Sequence, residues 1–294
     1  MQKGIIINNI SNLYDVEIED TIFSCNARGK FKSDDITPVT GDIVEIEITD
    51  ENKKNGVINK IENRKNYIKR PKIANITQII FVVSMNMPKP DLLLLDKQLA
   101  FAEAMDVNPI ICINKIDLES EDKSNLIEEL YSNIGYKVIK TNAKIGENID
   151  EIKKVLKENI TAFSGNSGVG KSTLINNIFK QYLTEEGDIS LKNKKGKNTT
   201  TTVKLYKIDN NSYIADTPGF STFDISEIPS EELSKYFVEF NRFISECKYI
   251  GCSHIKEDEC GVKKAVADNK ISMTRFENYC KIYNDLKDKE DNKW

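Results

Sequence analysis

A chain of 294 residues has room for two or three domains, each with its own core. Its formal charge of −4 argues against a protein that coats nucleic acid with its whole surface, but leaves local basic patches open. No stretch approaches the ~20 apolar residues of a membrane span, and the apolar run in MQKGIIINNISN is too short for a signal peptide. The expectation is therefore a soluble, cytoplasmic protein.

Residues 13–19 (LYDVEIE) and 43–48 (IVEIEI) alternate apolar and polar side chains, which predicts half-buried strands. Asn55-Gly56 predicts a tight hairpin turn followed by a further strand. Several short strands in so few residues predict a small barrel of the OB type over residues 1–68. Arg28, Lys30, Phe31 and Lys32 are the barrel's one hint of a nucleic-acid surface.

From Ile79 the pattern changes. IIFVVS and PIICIN are continuous apolar runs, as in parallel strands covered on both faces. Helical spacing over residues 92–104 and 124–134 completes an alternating β-α-β-α order, which predicts a doubly wound α/β domain over residues 69–222.

Within it, Gly165-Asn166-Ser167-Gly168-Val169-Gly170-Lys171-Ser172 fits the phosphate loop G-x-x-x-x-G-K-[ST], with ITAFS as the strand before and TLINNIF as the helix after. Glycines let backbone amides turn inward around phosphates at a helix N-terminus. Lys171 would reach the outer phosphates and Ser172 would ligate Mg²⁺, with Thr173 next in the helix.

Asn114-Lys115-Ile116-Asp117 ends the strand PIICI. Beside a phosphate loop, its aspartate can accept both N–H groups of a guanine edge, which selects GTP over ATP. Asn142-Ala143-Lys144, after YKVIKT, would set a backbone amide against the base. Asp216-Thr217-Pro218-Gly219 ends the strand SYIAD, where Asp216 can hold Mg²⁺ through water and the Gly219 amide can meet the γ-phosphate. In GKNTTTT (196–202), Thr200 is the candidate direct Mg²⁺ ligand, with Thr199 and Thr201 as neighbours.

Base-reading elements therefore precede the phosphate loop and switches, so the GTPase order is circularly permuted. Permutation is tolerated where native termini lie close together at the surface.

Strand signals disappear after Ser221, and residues 223–294 predict a helical domain. Its core feature is Cys247-x4-Cys252-x-His254-x5-Cys260, which includes the chain's one histidine. Three thiolates and an imidazole form a closed tetrahedral set, which favours one structural Zn²⁺. Free buried thiols beside a histidine are the alternative. On this reading, chelation unfolds the C-terminal domain and spares nucleotide binding. Cys25, Cys112 and Cys280 stand apart as packing residues, and RFENYCKIYNDL reads as a helical packing face.

Together CNARGKF, PVTGDIVEIEI, RPKIANITQ, the permuted motifs, the cysteine cluster and TRFENYCKIYNDL resemble the ribosome small-subunit-dependent GTPase A family (RsgA, also called YjeQ) over essentially the whole chain. The resemblance implies an OB barrel, a permuted GTPase core and a C-terminal zinc domain. It further implies a role in late maturation of the small ribosomal subunit, with GTP hydrolysis to GDP stimulated by the subunit. The chain is expected to be a monomer that contacts the subunit's rRNA. Two positions depart from the family pattern. Asn198 stands where relatives carry a switch histidine proposed to be catalytic, and Asn142 replaces the usual serine of the base loop. The competing reading is a non-catalytic, GTP-dependent RNA-binding assembly module. Residues 187–207 hold six lysines against one acidic residue, a candidate rRNA contact.

Overall fold

The structure is a computed structural model that describes residues 1–29, 31, 37–186, 203–216 and 225–292. The candidate residues Lys30, Lys32, Asn198, Thr200, Gly219 and the lysines between 187 and 202 lie outside these residues. Two units emerge: the described parts of Met1–Ile80, Asn142–Ser164 and Gly170–Ser221, and those of Phe81–Thr141, Gly165–Val169 and Thr222–Trp294.

The first unit opens with β1 (Gln2–Ile10), β2 (Leu13–Ile18), β3 (Thr21–Ala27), β4 (Ile43–Asp50) and β5 (Asn55–Ile61). β1 pairs with both β2 and β4, β2 with β3, β3 in parallel with β5, and β5 with β4. The five strands close on themselves in the order 1-2-3-5-4, an OB-type barrel. Inward residues of the period-two pattern, including Ile6, Val16, Val44, Ile46 and Ile58, are fully buried in its core.

The expected Asn55-Gly56 turn is not there. The hairpin turns over residues 51–54, with Lys54 at φ +52°, and both Asn55 and Gly56 lie in β5. Packing explains the glycine, since a Cβ on Gly56 would lie 3.0 Å from Cys25 Sγ and 3.2 Å from the Glu47 carbonyl. A short hairpin of β6 (Tyr67–Lys69) and β7 (Lys72–Ala74), without a sequence signal, follows the barrel.

β8 (Gln78–Ser84) begins in the first unit and ends in the second, and every residue of it is buried. The second unit continues with α1 (Leu92–Ala104), β9 (Asn108–Asn114), α2 (Glu121–Ser132) and β10 (Lys137–Thr141), in strand order β10-β9-β8. Both apolar runs are strands, as expected of parallel strands covered on two faces. The predicted second helix starts three residues early, at Glu121, because acidic residues of its first turn suit the positive helix end.

The chain then returns to the first unit as α3 (Ile149–Leu156), β11 (Ile160–Ser164), α4 (Lys171–Glu186), β12 (Lys204–Asp209) and β13 (Ser212–Asp216). β11 and β13 run parallel, β12 and β13 antiparallel, and β12 meets β1 at Asn8↔Lys204. Thr40 Oγ1 donates to the Val203 carbonyl at 3.0 Å, and Lys207 is held by Glu17, the Glu19 carbonyl and Asp20. That anchoring removes Lys207 from the basic patch read in the sequence.

No strand occurs among the described residues of 225–292. Before the cysteines the chain forms 3-10 turns, Ser230–Tyr236, Val238–Arg242 and Ile244–Glu246, rather than α-helix. Phe237, Phe240 and Phe243 recur every third residue, and three residues per turn bring them to one side. Phe237 and Phe240 are fully buried there. α5 (Gly261–Ala267) and α6 (Met273–Asp291) complete the unit.

The expected packing face of α6 is present in the buried Tyr279, Ile282 and Leu286. The core they enter also contains Ala100, with Leu93 and Phe101 of α1 packed against it. A buried polar network crosses the same ground. Asp96 of α1 accepts from Arg275 Nη1 at 2.6 Å, Asn278 Nδ2 at 2.7 Å and Tyr131 OH at 2.7 Å. Arg275 Nε also donates to Glu239 at 2.7 Å. Burial pushes the Asp96 carboxyl up against the opposing pull of Arg275. Burial likewise opposes the Arg275 charge, but Asp96 and Glu239 hold the guanidinium well above its ordinary value. The segment with the cysteines is therefore built onto α1, which bears on the expectation that nucleotide binding is independent of it.

Candidate functional site

The phosphate-loop residues start at the carboxyl end of β11. Because β11 and β13 are parallel, with Ala162 opposite Ala215, the loop and Asp216 leave at the same end of adjacent strands. Gly165, Gly168 and Gly170 have φ of +142°, +80° and +101°. At Gly165 the demand is steric as well, since a Cβ would fall 2.2 Å from the Val82 carbonyl oxygen. Asn166, Ser167, Gly168 and Val169 carry the turn, and α4 begins at Lys171, with Leu174 N bonded to the Gly170 carbonyl at 2.9 Å. Ser172, Thr173 and Asp216 are exposed, and partial burial lowers the pKa of Lys171. Gly165→Ala is expected to weaken GDP binding about five-fold or more in an equilibrium titration, because backbone strain of this kind costs about 1–3 kcal/mol. Unchanged affinity would mean that the loop accommodates a Cβ by shifting Val82.

The N-K-x-D residues follow β9. Lys115 has φ +59° and its Nζ donates to the Met87 carbonyl, while Asp117 lies exposed in a 3-10 turn. Buried Asn114 is held at both ends of its amide. Its Nδ2 donates to the Val169 carbonyl at 2.8 Å, and its Oδ1 accepts from Thr141 Oγ1 at 3.2 Å. Asn114 thereby ties the N-K-x-D turn to the phosphate loop.

β10 is in parallel register with β9, with Thr141 opposite Asn114, so the loop of Asn142, Ala143 and Lys144 starts at the strand end that carries Asn114. Asn142 Oδ1 accepts from Lys144 N at 3.2 Å, its N bonds the Glu147 carbonyl at 3.4 Å, and the Ala143 carbonyl accepts from Asn177 of α4. Thr141 and Asn177 are absent from the sequence-based set. A strand-end threonine and a mid-helix asparagine carry no signal until their partners are known.

Cys247, Cys252, His254 and Cys260 converge, with their ligand atoms all within 4.8 Å of one another. Cys247 Sγ lies 3.9 Å from Cys260 Sγ and 3.6 Å from His254 Nδ1, which is 3.3 Å from Cys260 Sγ. A tetrahedral Zn²⁺ with Zn–S about 2.3 Å and Zn–N about 2.0–2.1 Å requires edges of roughly 3.8 Å between sulfurs and roughly 3.6 Å from sulfur to nitrogen. The donor set fits. Amides of Gly261 and Lys263 point at Cys247 and Cys260 sulfurs at 3.3 and 3.4 Å, as suits thiolates. Burial lowers the His254 pKa, favouring the neutral ring a metal needs, and pushes the Cys252 thiol up to about 12, so a cation must displace its proton. The group could hold a metal ion.

Two family models match the chain up to residue 226: the RsgA N-terminal domain matches residues 3–58 and the RsgA GTPase matches residues 61–226. The chain belongs to the RsgA GTPase family. A Clostridium novyi protein named small ribosomal subunit biogenesis GTPase RsgA is 41% identical over 292 residues, covering 99% of this chain and 100% of its own. A Ruminiclostridium cellulolyticum protein of the same name is 41% identical over 290 residues, covering 98% and 95%. Among solved structures, YjeQ from Thermotoga maritima aligns at TM-score 0.85 and 38% identity, covering 97% of this chain and 98% of its own. YloQ, described as a circularly permuted GTPase, aligns at TM-score 0.82 and 35% identity, covering 98% and 96%. The multidomain α/β architecture read from the sequence, with OB-type barrel and circularly permuted P-loop GTPase, is thus that of the RsgA family.

Proposed function

We propose that this GTPase acts on the small ribosomal subunit late in its maturation, as a cytoplasmic monomer whose hydrolysis of GTP to GDP is stimulated by the subunit and coupled to release. The observation that carries the nucleotide assignment is the Asn114 tie, which joins an N-K-x-D turn to a phosphate loop. The ribosomal assignment rests on relatives of about 40% identity over the full chain that bear that name.

In this reading Asp117 accepts from the guanine edge, Lys115 flanks the base, and the Ala143 amide meets its far side, with Asn142 and Lys144 shaping that turn. The amides from Gly165 to Gly170, with Lys171, cradle the phosphates, and the Gly219 amide senses the γ-phosphate. Mg²⁺, held by Ser172 and Thr200 directly and by Asp216 through water, would neutralise phosphate charge. Zn²⁺ on the four-residue cluster is structural. The remaining lysines of residues 187–204 supply rRNA phosphate contacts.

The water-orienting glutamine that follows D-x-x-G in Ras-like GTPases is Phe220 here. Asn198 can orient water through its carbonyl but cannot take up a proton at neutral pH. Slow turnover alone is the consequence, with acceleration when the bound subunit sets Asn198 against the attacking water. Asn198→Ala is expected to cut the subunit-stimulated single-turnover rate about ten-fold or more with little change in GTP affinity. Equal rates for wild type, Asn198→Ala and Asn198→His would assign water positioning to the ribosome. The loss of the family's histidine is what favours the second reading, the non-catalytic module. Subunit binding that is equally tight with GDP and with a non-hydrolysable GTP analogue would support that module and refute hydrolysis-coupled release.

A further inference from the structure

Helix α1 is used on two sides. Asp91, Leu94, Leu95 and Gln98 line a cavity of about 10 Å³, water-sized, whose other wall includes Gly165, Asn166 and Val169 of the phosphate loop. Leu93, Ala100 and Phe101 pack into the core shared with the metal-cluster segment, Lys97 pairs with Asp285 of α6 at 2.9 Å, and Asp96 carries the buried network. At 100° per residue the two stripes are centred roughly 140° apart, so one rigid cylinder bears on both regions.

We propose that Asp96 is a positioning residue for the phosphate loop. Through α1 it makes the metal-clipped C-terminal segment part of the loop's support, so that metal occupancy and nucleotide affinity are linked. Cys247, Cys252 and Cys260 belong to the same apolar cluster as Ala100. Loss of the metal loosens that cluster and frees one side of α1. The opposite stripe then holds Gly165, Asn166 and Val169 less firmly. Thermodynamic linkage makes the effect reciprocal: nucleotide on the loop raises metal affinity by the factor by which metal raises nucleotide affinity. The proposal rests on the reading of residues 165–172 as the phosphate cradle.

The test uses the full chain, with GDP titrated against zinc-loaded and zinc-depleted protein, and zinc affinity measured by chelator competition with and without saturating GDP. Breaking one side of a buried ion pair leaves the other charge uncompensated, so Asp96→Asn is combined with Arg275→Gln, whose amide can still donate to Glu239, the other partner of Arg275. Asn278→Ala serves as a milder second variant that keeps the pair. In wild type, zinc removal is expected to weaken GDP about five-fold or more, with an equal factor on zinc affinity. The double variant should bring that factor towards one and Asn278→Ala should give an intermediate value. A merely structural role would lower stability and leave the factor untouched. A wild-type factor within two-fold of one, or a factor unchanged in the variants, overturns the proposal. If the double variant fails to retain zinc, Asn278→Ala decides. Failure of GDP to bind any form would instead refute the phosphate-cradle reading.

Discussion

Cys260→Ser is expected to abolish stoichiometric metal binding and to unfold the segment around the cluster. Cys260 has three roles at once: its sulfur faces Cys247 and His254, it caps α5 by accepting from Lys263 N, and it lies buried in the apolar core. Serine keeps the cap but is a poor ligand for a soft-leaning cation. Structural zinc in small domains contributes an apparent ~10–16 kcal/mol at neutral pH. Losing even part of that exceeds what a segment of short 3-10 turns and one seven-residue helix can supply. Because binding displaces thiol protons, apparent metal affinity should also fall as pH falls. Metal analysis and limited proteolysis read the outcome. A Cys260→Ser protein that held one zinc per chain and resisted cleavage would remove the cluster as the metal site.

Asp117→Asn is expected to weaken GTP by roughly 10- to 150-fold and to shift preference towards xanthosine triphosphate. A charge-assisted hydrogen bond contributes about 1.5–3 kcal/mol, and the asparagine amide presents a donor where guanine also presents one. Xanthine carries a carbonyl at that edge and accepts the new donor. Exposure of Asp117 at the turn leaves folding little affected, so the change belongs to recognition. Competition binding with the two triphosphates distinguishes the outcomes, and wild-type GTP affinity in the variant would assign base reading elsewhere.

Much of this architecture is legible in residue order. Period-two alternation marks β2 and β4, continuous apolar runs mark β8 and β9, and the spacing of three glycines before Lys171-Ser172 marks the turn into α4. These signals are local, which is why they survive in one sequence. Asn55-Gly56 misleads because glycine has two uses, and here the close approach of Cys25 and Glu47 favours it rather than a positive φ. Arg275 opens a stretch legible as a packing face by its apolar and aromatic residues, but nothing local marks the arginine itself as 1% exposed between two carboxylates from distant segments. Thr141 and Asn177 are illegible for the same reason. Their roles exist only through partners brought close by folding.

The most direct test of the account is multiple-turnover GTP hydrolysis measured with and without purified small ribosomal subunits. The protein alone is expected to turn GTP over slowly, with a marked rise when small subunits are added and none with large subunits. A rate that small subunits leave unchanged, or no GTP hydrolysis in either condition, would contradict it.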